Sequence, residues 1–581
     1  MKKIPIGIDD FKELREKDAY FVDKSLLISE LLESITKVTL ITRPRRFGKS
    51  LNFSMLKYFL QNPENMDYSG AEIRECFKGL RIMENTDFLN KHFCQYPVIE
   101  LSFKKVKASN WDFAAAAFKE EIASEYLRHS YLLQSEILMD FQKEEFSKIM
   151  TKKADIFNFT SAIRNLSSYL KKYYQQKVIV LIDEYDTPLH YAKLNDYYTE
   201  MLDIMRGLMV DTMKDNPDLE KALITGIMKI SQESMFSGFN NASTADLSDS
   251  LAKDKFGFTE TEVKELLKYY SLDSEEDTVR KWYNGYLFGR DTIIYNPWSL
   301  LNFVDDSDHQ PQTYWINSGD NSLLRRCFKL DQLKSKNYLE TLLKDEFLTE
   351  KLEKNIIYED IFNNVDKALS FLLHSGYLKA ELKNDGDNYY NFSIPNKEIK
   401  EIYKNILDNW FAQQNKSAAL IQNLIKSLLS GDFESFEVFL EDLLMANISY
   451  YDSSSALKIS SRGEEREKQE NFFHGLMLGL LLYLDDNYYI LSNQEFGKGR
   501  PDLVIMPKNK RNKAYILEFK NEYSSSQISV QKAAAEALAQ IEEKKYDVGI
   551  KKAGIENIVK LGLGFKGKEC AVEYKSNSNL K

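Results

Sequence analysis

Thr39-Leu40-Ile41-Thr42-Arg43-Pro44-Arg45-Arg46-Phe47-Gly48-Lys49-Ser50 decides the reading of the first half of the chain. An apolar, β-branched run enters it and a helical pattern leaves it. It ends in Gly-Lys-Ser, the part of a P-loop that meets phosphate. There, backbone amides cradle phosphates at a helix N-terminus, lysine reaches the outer phosphates, and the hydroxyl meets Mg²⁺. Gly48, Lys49 and Ser50 meet those needs. The first glycine of the usual P-loop pattern is replaced by Arg43. Arg43, Arg45 and Arg46 have two readings of equal weight. Their guanidinium forks suit phosphate oxygens, or they pair with carboxylates of a neighbouring element.

A second element follows in the expected order. VIVLIDEYD places Asp183 and Glu184 at the C-terminal end of an apolar strand. Sites of parallel sheets lie at that edge. Asp183 suits a water-mediated contact to Mg²⁺, and Glu184 suits the orientation of an attacking water. Other apolar runs at Lys37–Thr42, Pro97–Phe103 and Ala222–Ile230 alternate with helical patterns. A parallel α/β sheet of the P-loop NTPase type is expected over 1–250, with an inserted helical section over Asn110–Lys172. Aromatics and turn residues become dense over 251–330 (KWYNGYLFG, IIYNPWSLLNF), which suggests a lid, with the aromatics read as packing. Over 331–452 the order helix, polar hairpin, helix suggests a winged-helix-like unit and a helical linker.

The last domain, 464–575, reads as αβββαβ. RPDLVIM and AYILEFK flank the turn KNKRN. Side chains alternate along a strand, so Glu518 and Lys520 share a face. If the turn centres near Lys510, Asp502 falls opposite Glu518. Two carboxylates that close repel unless a cation lies between them, and a hard divalent ion, Mg²⁺ first, is the natural partner. Such an ion would activate water beside Lys520. His474 stands near this region with a buried structural role equally open. Lys498 and Arg500 are either phosphate contacts or solvated loop charges.

These stretches resemble a known pairing in bacterial proteins: a predicted AAA-ATPase-like family next to a PD-(D/E)XK nuclease domain. The N-terminal match runs through IPIGIDDFKELREKDAYFVDKSLLISELLE, ITRPRRFGKSLNFSMLKYFL, VIVLIDEYDTPLH, ITGIMKISQESMFSGFNN, WYNGYLFG, YNPWSLLNF and YWINSG. Arginine in place of the first glycine is itself typical of that family. The resemblance implies ATP and Mg²⁺ as cofactors, P-loop roles for Lys49 and Ser50, Walker B roles for Asp183 and Glu184, and a polar sensor at Thr225. Asp23 and Lys24 belong to its pattern as shapers of the nucleotide pocket. The C-terminal match runs through KQENFFHGLMLGLL, GKGRPDLVIMP, AYILEFK and ALAQIEEKKY. It implies a restriction-endonuclease-like domain with Asp502, Glu518 and Lys520 as the active triad. It also implies Glu470 completing the metal shell and Gln540 beside the site. The partner implied is nucleic acid, DNA ahead of RNA, with a non-cleaving binding module as the alternative.

Bulk properties bound this reading. The 581 residues are too many for one core. A net charge of −10 argues against broad coating of nucleic acid but leaves a local basic groove open. Cys76, Cys94, Cys327 and Cys570 form no CxxC pair or zinc pattern, so a reduced, cytoplasmic setting is expected. The apolar stretch Gly475–Leu484 is about half of the ~20 residues a membrane span needs, so no membrane association is expected.

Overall fold

The computed structural model describes residues 1–214, 216–230, 242–315, 338–339, 341–353, 361, 365–383, 388–412, 417–447, 477, 484, 487–492, 495–496, 499–522, 528–566 and 568–576. The chain divides into two compact units. One comprises Met1–Ser335 and Phe347–Lys400, the other Lys336–Glu346 and Glu401–Lys581.

The first unit is built on five strands: β1 (Val38–Thr42), β2 (Val98–Ser102), β3 (Val178–Asp183), β4 (Leu219–Gly226) and β5 (Ala242–Ala245). All pair in parallel, in the order β2-β3-β4-β1-β5. Every residue of β1 and β3 is buried, as their continuous Val, Ile and Leu content requires of strands covered on both faces. The section inserted between β2 and β3 is helical, with helices Trp111–Arg128, Asp140–Met150 and Asn158–Tyr174. β5 lacks an apolar run and carries no strand signal of its own. It is recruited by pairing with β1.

Arg43 completes this sheet edge. It follows β1 directly, is fully buried, and donates from its guanidinium to the carbonyls of Thr42, Ala245, Asp246, Leu251 and Ala252 at 2.8–3.2 Å. Its guanidinium also lies over the rings of Phe256 and Phe288. Both readings of Arg43, phosphate contact and pairing with a neighbouring carboxylate, are therefore corrected. Its charge is spent on backbone carbonyls that bind β5 and the following segment to β1.

Beyond β5, a small antiparallel sheet of β6 (Phe258–Thr259), β7 (Tyr286–Phe288) and β8 (Thr292–Tyr295), in the order β6-β8-β7, is covered by helices Glu260–Tyr269, Glu276–Tyr283 and Pro297–Asp305. Tyr283, Leu300 and Phe303 pack in its core. The next sheet contains β9 (Leu348–Lys351), β10 (Lys379–Leu382) and β11 (Tyr389–Ser393). Helix Val365–Ser375 precedes the β10–β11 hairpin and helix Lys397–Ala412 follows it, the helix–hairpin–helix order expected of a winged-helix-like segment.

The second unit has a mixed sheet of β12 (Tyr488–Ser492), β13 (Leu503–Pro507), β14 (Ala514–Asn521), β15 (Ile558–Lys566) and β16 (Glu569–Ser576), in that spatial order. β12, β13 and β14 form an antiparallel meander. β15 runs parallel to β14 after the crossover helix Val530–Lys544. The first helix of the expected αβββαβ order lies mostly outside the described residues. Helices Ser417–Ser430 and Phe433–Asn447 contribute Leu428, Phe436 and Leu440 to a core shared with Leu517 and Leu561. Among the described residues no helix is long and apolar enough to cross a membrane, and Cys76, Cys94 and Cys570 are free thiols.

Two glycines set the height of the crossover helix above the sheet. A Cβ on Gly562 would lie 2.2 Å from the Ala534 carbonyl oxygen, and one on Gly564 2.2 Å from that of Val530. Gly562 is the register partner of Glu518 on β14, so this close approach brings the helix over that carboxylate. Gly562→Ala is expected to destabilise the C-terminal unit by about 1–3 kcal/mol, the usual cost of overpacking. Calorimetric unfolding of the full chain checks this: a lowered midpoint is expected, and an unchanged one contradicts it.

Candidate functional sites at two sheet edges

The P-loop turn forms where β1 meets helix Lys49–Leu60. Gly48 caps that helix with φ +81°, a left-handed conformation natural to glycine, and Arg46 stands before it at φ +70°. A cleft of about 320 Å³ opens here, lined by Arg45, Arg46, Gly48, Lys49, Ser50 and Glu184 among others. The Lys49 ammonium is buried and donates to the carbonyls of Arg43 and Pro44 at 2.9 and 2.8 Å. Burial holds Lys49 below its ordinary pKa, opposed by Glu184 and Asp183.

β4 lies between β1 and β3, and Thr225 near its end is the link. Ser50 Oγ donates to Asp183 Oδ2 at 2.6 Å, while Thr225 Oγ1 donates to Asp183 Oδ1. The backbone amide of Glu184 donates to Thr225 Oγ1 at 3.2 Å. Glu184 has φ +52° and its side chain accepts from Thr187 Oγ1 at 3.1 Å. Burial pushes Asp183 above its ordinary pKa, against the two hydroxyl donors. A buried carboxylate next to a hydroxyl, beside a helix N-terminus, fits a hydrated Mg²⁺ carried by a phosphate chain. Ser50, Asp183, Glu184 and Thr225 thus come together, as do Gly48 and Lys49.

Arg46 reaches the cleft and stacks on Trp298 with 4.1 Å to the ring centroid. Trp298 was expected to be packing, and it serves also as a cleft wall. Lys24 and Asp23 hold structure around the cleft. The buried Lys24 ammonium pairs with Glu262 at 2.6 Å, and Asp23 accepts from the amides of Ser25 and Arg81. Lys104 and Lys107 follow β2, line the cleft and were missed. The one available signal was their place just after a strand of the parallel sheet. Asp186 was missed too. It is buried, accepts from the amides of Ile227 and Met228 at 2.7 and 3.3 Å, and is pushed up to about 6 by burial.

In the C-terminal unit the hairpin register pairs Leu503 with Leu517, which centres the turn at Lys510 and sets Asp502 opposite Glu518. Each carboxylate accepts from the other strand's backbone. The Asp502 amide donates to Glu518 Oε2 at 3.3 Å, and the Phe519 amide donates to Asp502 Oδ2 at 2.7 Å. Gln540 Nε2, on the crossover helix, donates to Glu518 Oε1. Burial first, and the Asp502 charge second, push Glu518 up to about 8. Lys520 lies two residues on along β14 and is half-buried. Such a carboxylate pair fits a divalent cation, which would relieve both the burial and the repulsion.

Arg500 pairs with Glu495 at 3.1 Å on the surface, the solvated-loop alternative. Glu470, His474 and Lys498 lie outside the described residues. Among the described residues no three His, Cys, Asp or Glu side chains gather as a metal site.

Comparison with known proteins places two family matches along the chain. Residues 5–236 match the model of a family described as "Predicted AAA-ATPase", and residues 468–575 match that of the PD-(D/E)XK nuclease superfamily. The chain is also 26% identical over 554 residues to the "Uncharacterized protein in vnfD 5'region" of Azotobacter chroococcum mcd 1, covering 94% of this chain and 93% of that protein. The chain therefore carries an AAA-ATPase-like domain and, C-terminal to it, a domain of the PD-(D/E)XK nuclease superfamily.

Proposed function

We propose that the chain binds and hydrolyses ATP at the P-loop cleft, and that this controls Mg²⁺-dependent cleavage of phosphodiester bonds at Asp502, Glu518 and Lys520. Nucleic acid is the substrate, DNA ahead of RNA, in the cytoplasm. The observation that carries this reading is the crosswise Asp502–Glu518 pair. It places two carboxylates at one point, and burial with mutual repulsion raises Glu518. A structural hairpin has no need of that arrangement.

In the ATP site, Lys49 binds the outer phosphates and Glu184 orients the attacking water. Thr225 holds Asp183 in place through its hydroxyl. In the second site, Gln540 fixes the Glu518 rotamer and Lys520 steadies the attacking water and the charge on the phosphate. Ser50 and Asp183 would hold Mg²⁺ in one site and Asp502 and Glu518 in the other, where the ion neutralises phosphate charge and makes bound water more acidic. By family resemblance Glu470 would add to the second set.

Two outcomes are expected. Mg-ATP at ~100 times its dissociation constant stabilises a binding protein by about 2.7 kcal/mol. Thermal-shift measurement should therefore show an ATP-dependent rise in midpoint for wild type that Lys49→Ala abolishes. Equal shifts in both would refute the P-loop assignment. Wild type incubated with Mg²⁺ and supercoiled DNA, linear DNA or RNA should cleave at least one of them, ATP should change the rate, and Lys520→Ala should be slower by about 10²-fold or more. Wild type that cleaves none of them beyond the Lys520→Ala background favours a binding module that does not cut.

A further inference from the structure

The P-loop cleft gathers more positive charge than its own carboxylates answer. Arg45, Arg46, Lys49, Lys104 and Lys107 line it, against Asp9 and Glu184. Four of these cations are already engaged. Lys49 is held by loop carbonyls, Lys104 donates to Asp9 at 2.7 Å, and Arg46 lies on Trp298. Lys107 lies over the Tyr191 ring, 5.7 Å from its centroid. Arg45 differs from all of them. It is half-buried, faces the cleft, and makes no hydrogen bond or ion pair among the described residues.

The loop that carries Arg45 is fixed on the far side. Phe47 is buried against Tyr286 and Phe288, with ring centroids 4.9 and 5.4 Å away. Arg46 in the left-handed region and Gly48 beside it give the turn a defined course. Lys107 comes from the segment after β2, the strand next to β3, which ends at Asp183 beside Glu184. Burial pulls Lys107 below its ordinary pKa. Glu184 opposes this, while Arg45, Lys104 and Arg46 add to it. Cations crowded in this way are relieved by a polyanion, and a guanidinium fork matches terminal phosphate oxygens.

We propose that Arg45, with Lys107 beside it, is a catalytic residue that contacts the γ-phosphate of ATP, so that each chain supplies its own hydrolytic cation. This rests on the ATP reading above. In the reaction, the water oxygen forms a bond to the γ-phosphorus as the bond from that phosphorus to the β,γ-bridging oxygen breaks. The electron pair of the broken bond stays on ADP, and the water's proton passes to solvent by way of Glu184. Negative charge grows on the bridging and γ-phosphate oxygens, where Arg45 stands. A partner's arginine is then not required.

The test uses the full chain with Mg²⁺. Arg45→Ala and Arg45→Lys are compared with wild type for ATPase turnover and for binding of ADP and of a non-hydrolysable ATP analogue. Arg45→Ala is expected to lower turnover by about 10³-fold, the lower end of what an arginine in this role supplies. ADP binding should change little, which also shows that the variant is folded, while the ATP analogue binds more weakly. Arg45→Lys should recover part of the turnover. Mixing Arg45→Ala with Lys49→Ala chains should restore nothing, and wild-type activity per chain should not depend on protein concentration. Wild-type turnover in Arg45→Ala overturns the proposal alone. Restoration on mixing also overturns it, because the cation would then act between chains. Wild type that binds no ATP overturns the underlying ATP reading, and this proposal with it.

Discussion

A carboxylate taken out of water at the end of a strand is stable as an anion only where donors or a cation replace its hydration. Both candidate sites rest on that constraint. Asp183 is buried between the Ser50 and Thr225 hydroxyls, and Glu518 between the Asp502 backbone and Gln540. Burial pushes both carboxylates towards protonation, and in Glu518 a second carboxylate adds to the effect. The donors replace part of the lost hydration, and a cation would replace more of it. Each arrangement fits a divalent cation.

The surrounding structure serves to hold these carboxylates in place. β4, inserted between β1 and β3, supplies Thr225, and the P-loop helix supplies Ser50. Arg43 ties β1 to β5 and the next segment, so the loop that follows it leaves the sheet from a fixed edge. In the C-terminal unit Gly562 and Gly564 let the crossover helix settle onto β15, and the same helix delivers Gln540 to Glu518. A methyl group on either glycine would therefore disturb both packing and site.

What was legible in the sequence followed from local rules. The hairpin register was readable because strand alternation has a period of two and the turn KNKRN fixes the offset, so Asp502 opposite Glu518 follows. The P-loop and the Asp183 strand were readable because each is a contiguous apolar run with its functional residues at one end. Arg43 was not readable. Four of the five carbonyls that claim it belong to residues some two hundred positions on, and burial of a guanidinium is a tertiary fact. Trp298, Lys104 and Lys107 converge on the cleft from separate elements and share no motif. β5 and β16 were missed for a different reason. Neither has an apolar run, and their pairing is set by β1 and β15.

The central claim is that the buried Asp502–Glu518 pair is a cation site, and calorimetric titration of Mn²⁺ into the nucleotide-free full chain tests it most directly. Burial and the neighbouring Asp502 charge push Glu518 up to about 8, so a metal that binds at neutral pH is expected to displace a proton. Affinity should therefore rise with pH below that value and level off above it. Titrations at neutral pH in buffers of different ionisation enthalpy should show about one proton released per ion, and Glu518→Gln should remove both the binding and the release. Wild type that binds no Mn²⁺ at any pH, or binds it as tightly after Glu518→Gln, would contradict the account.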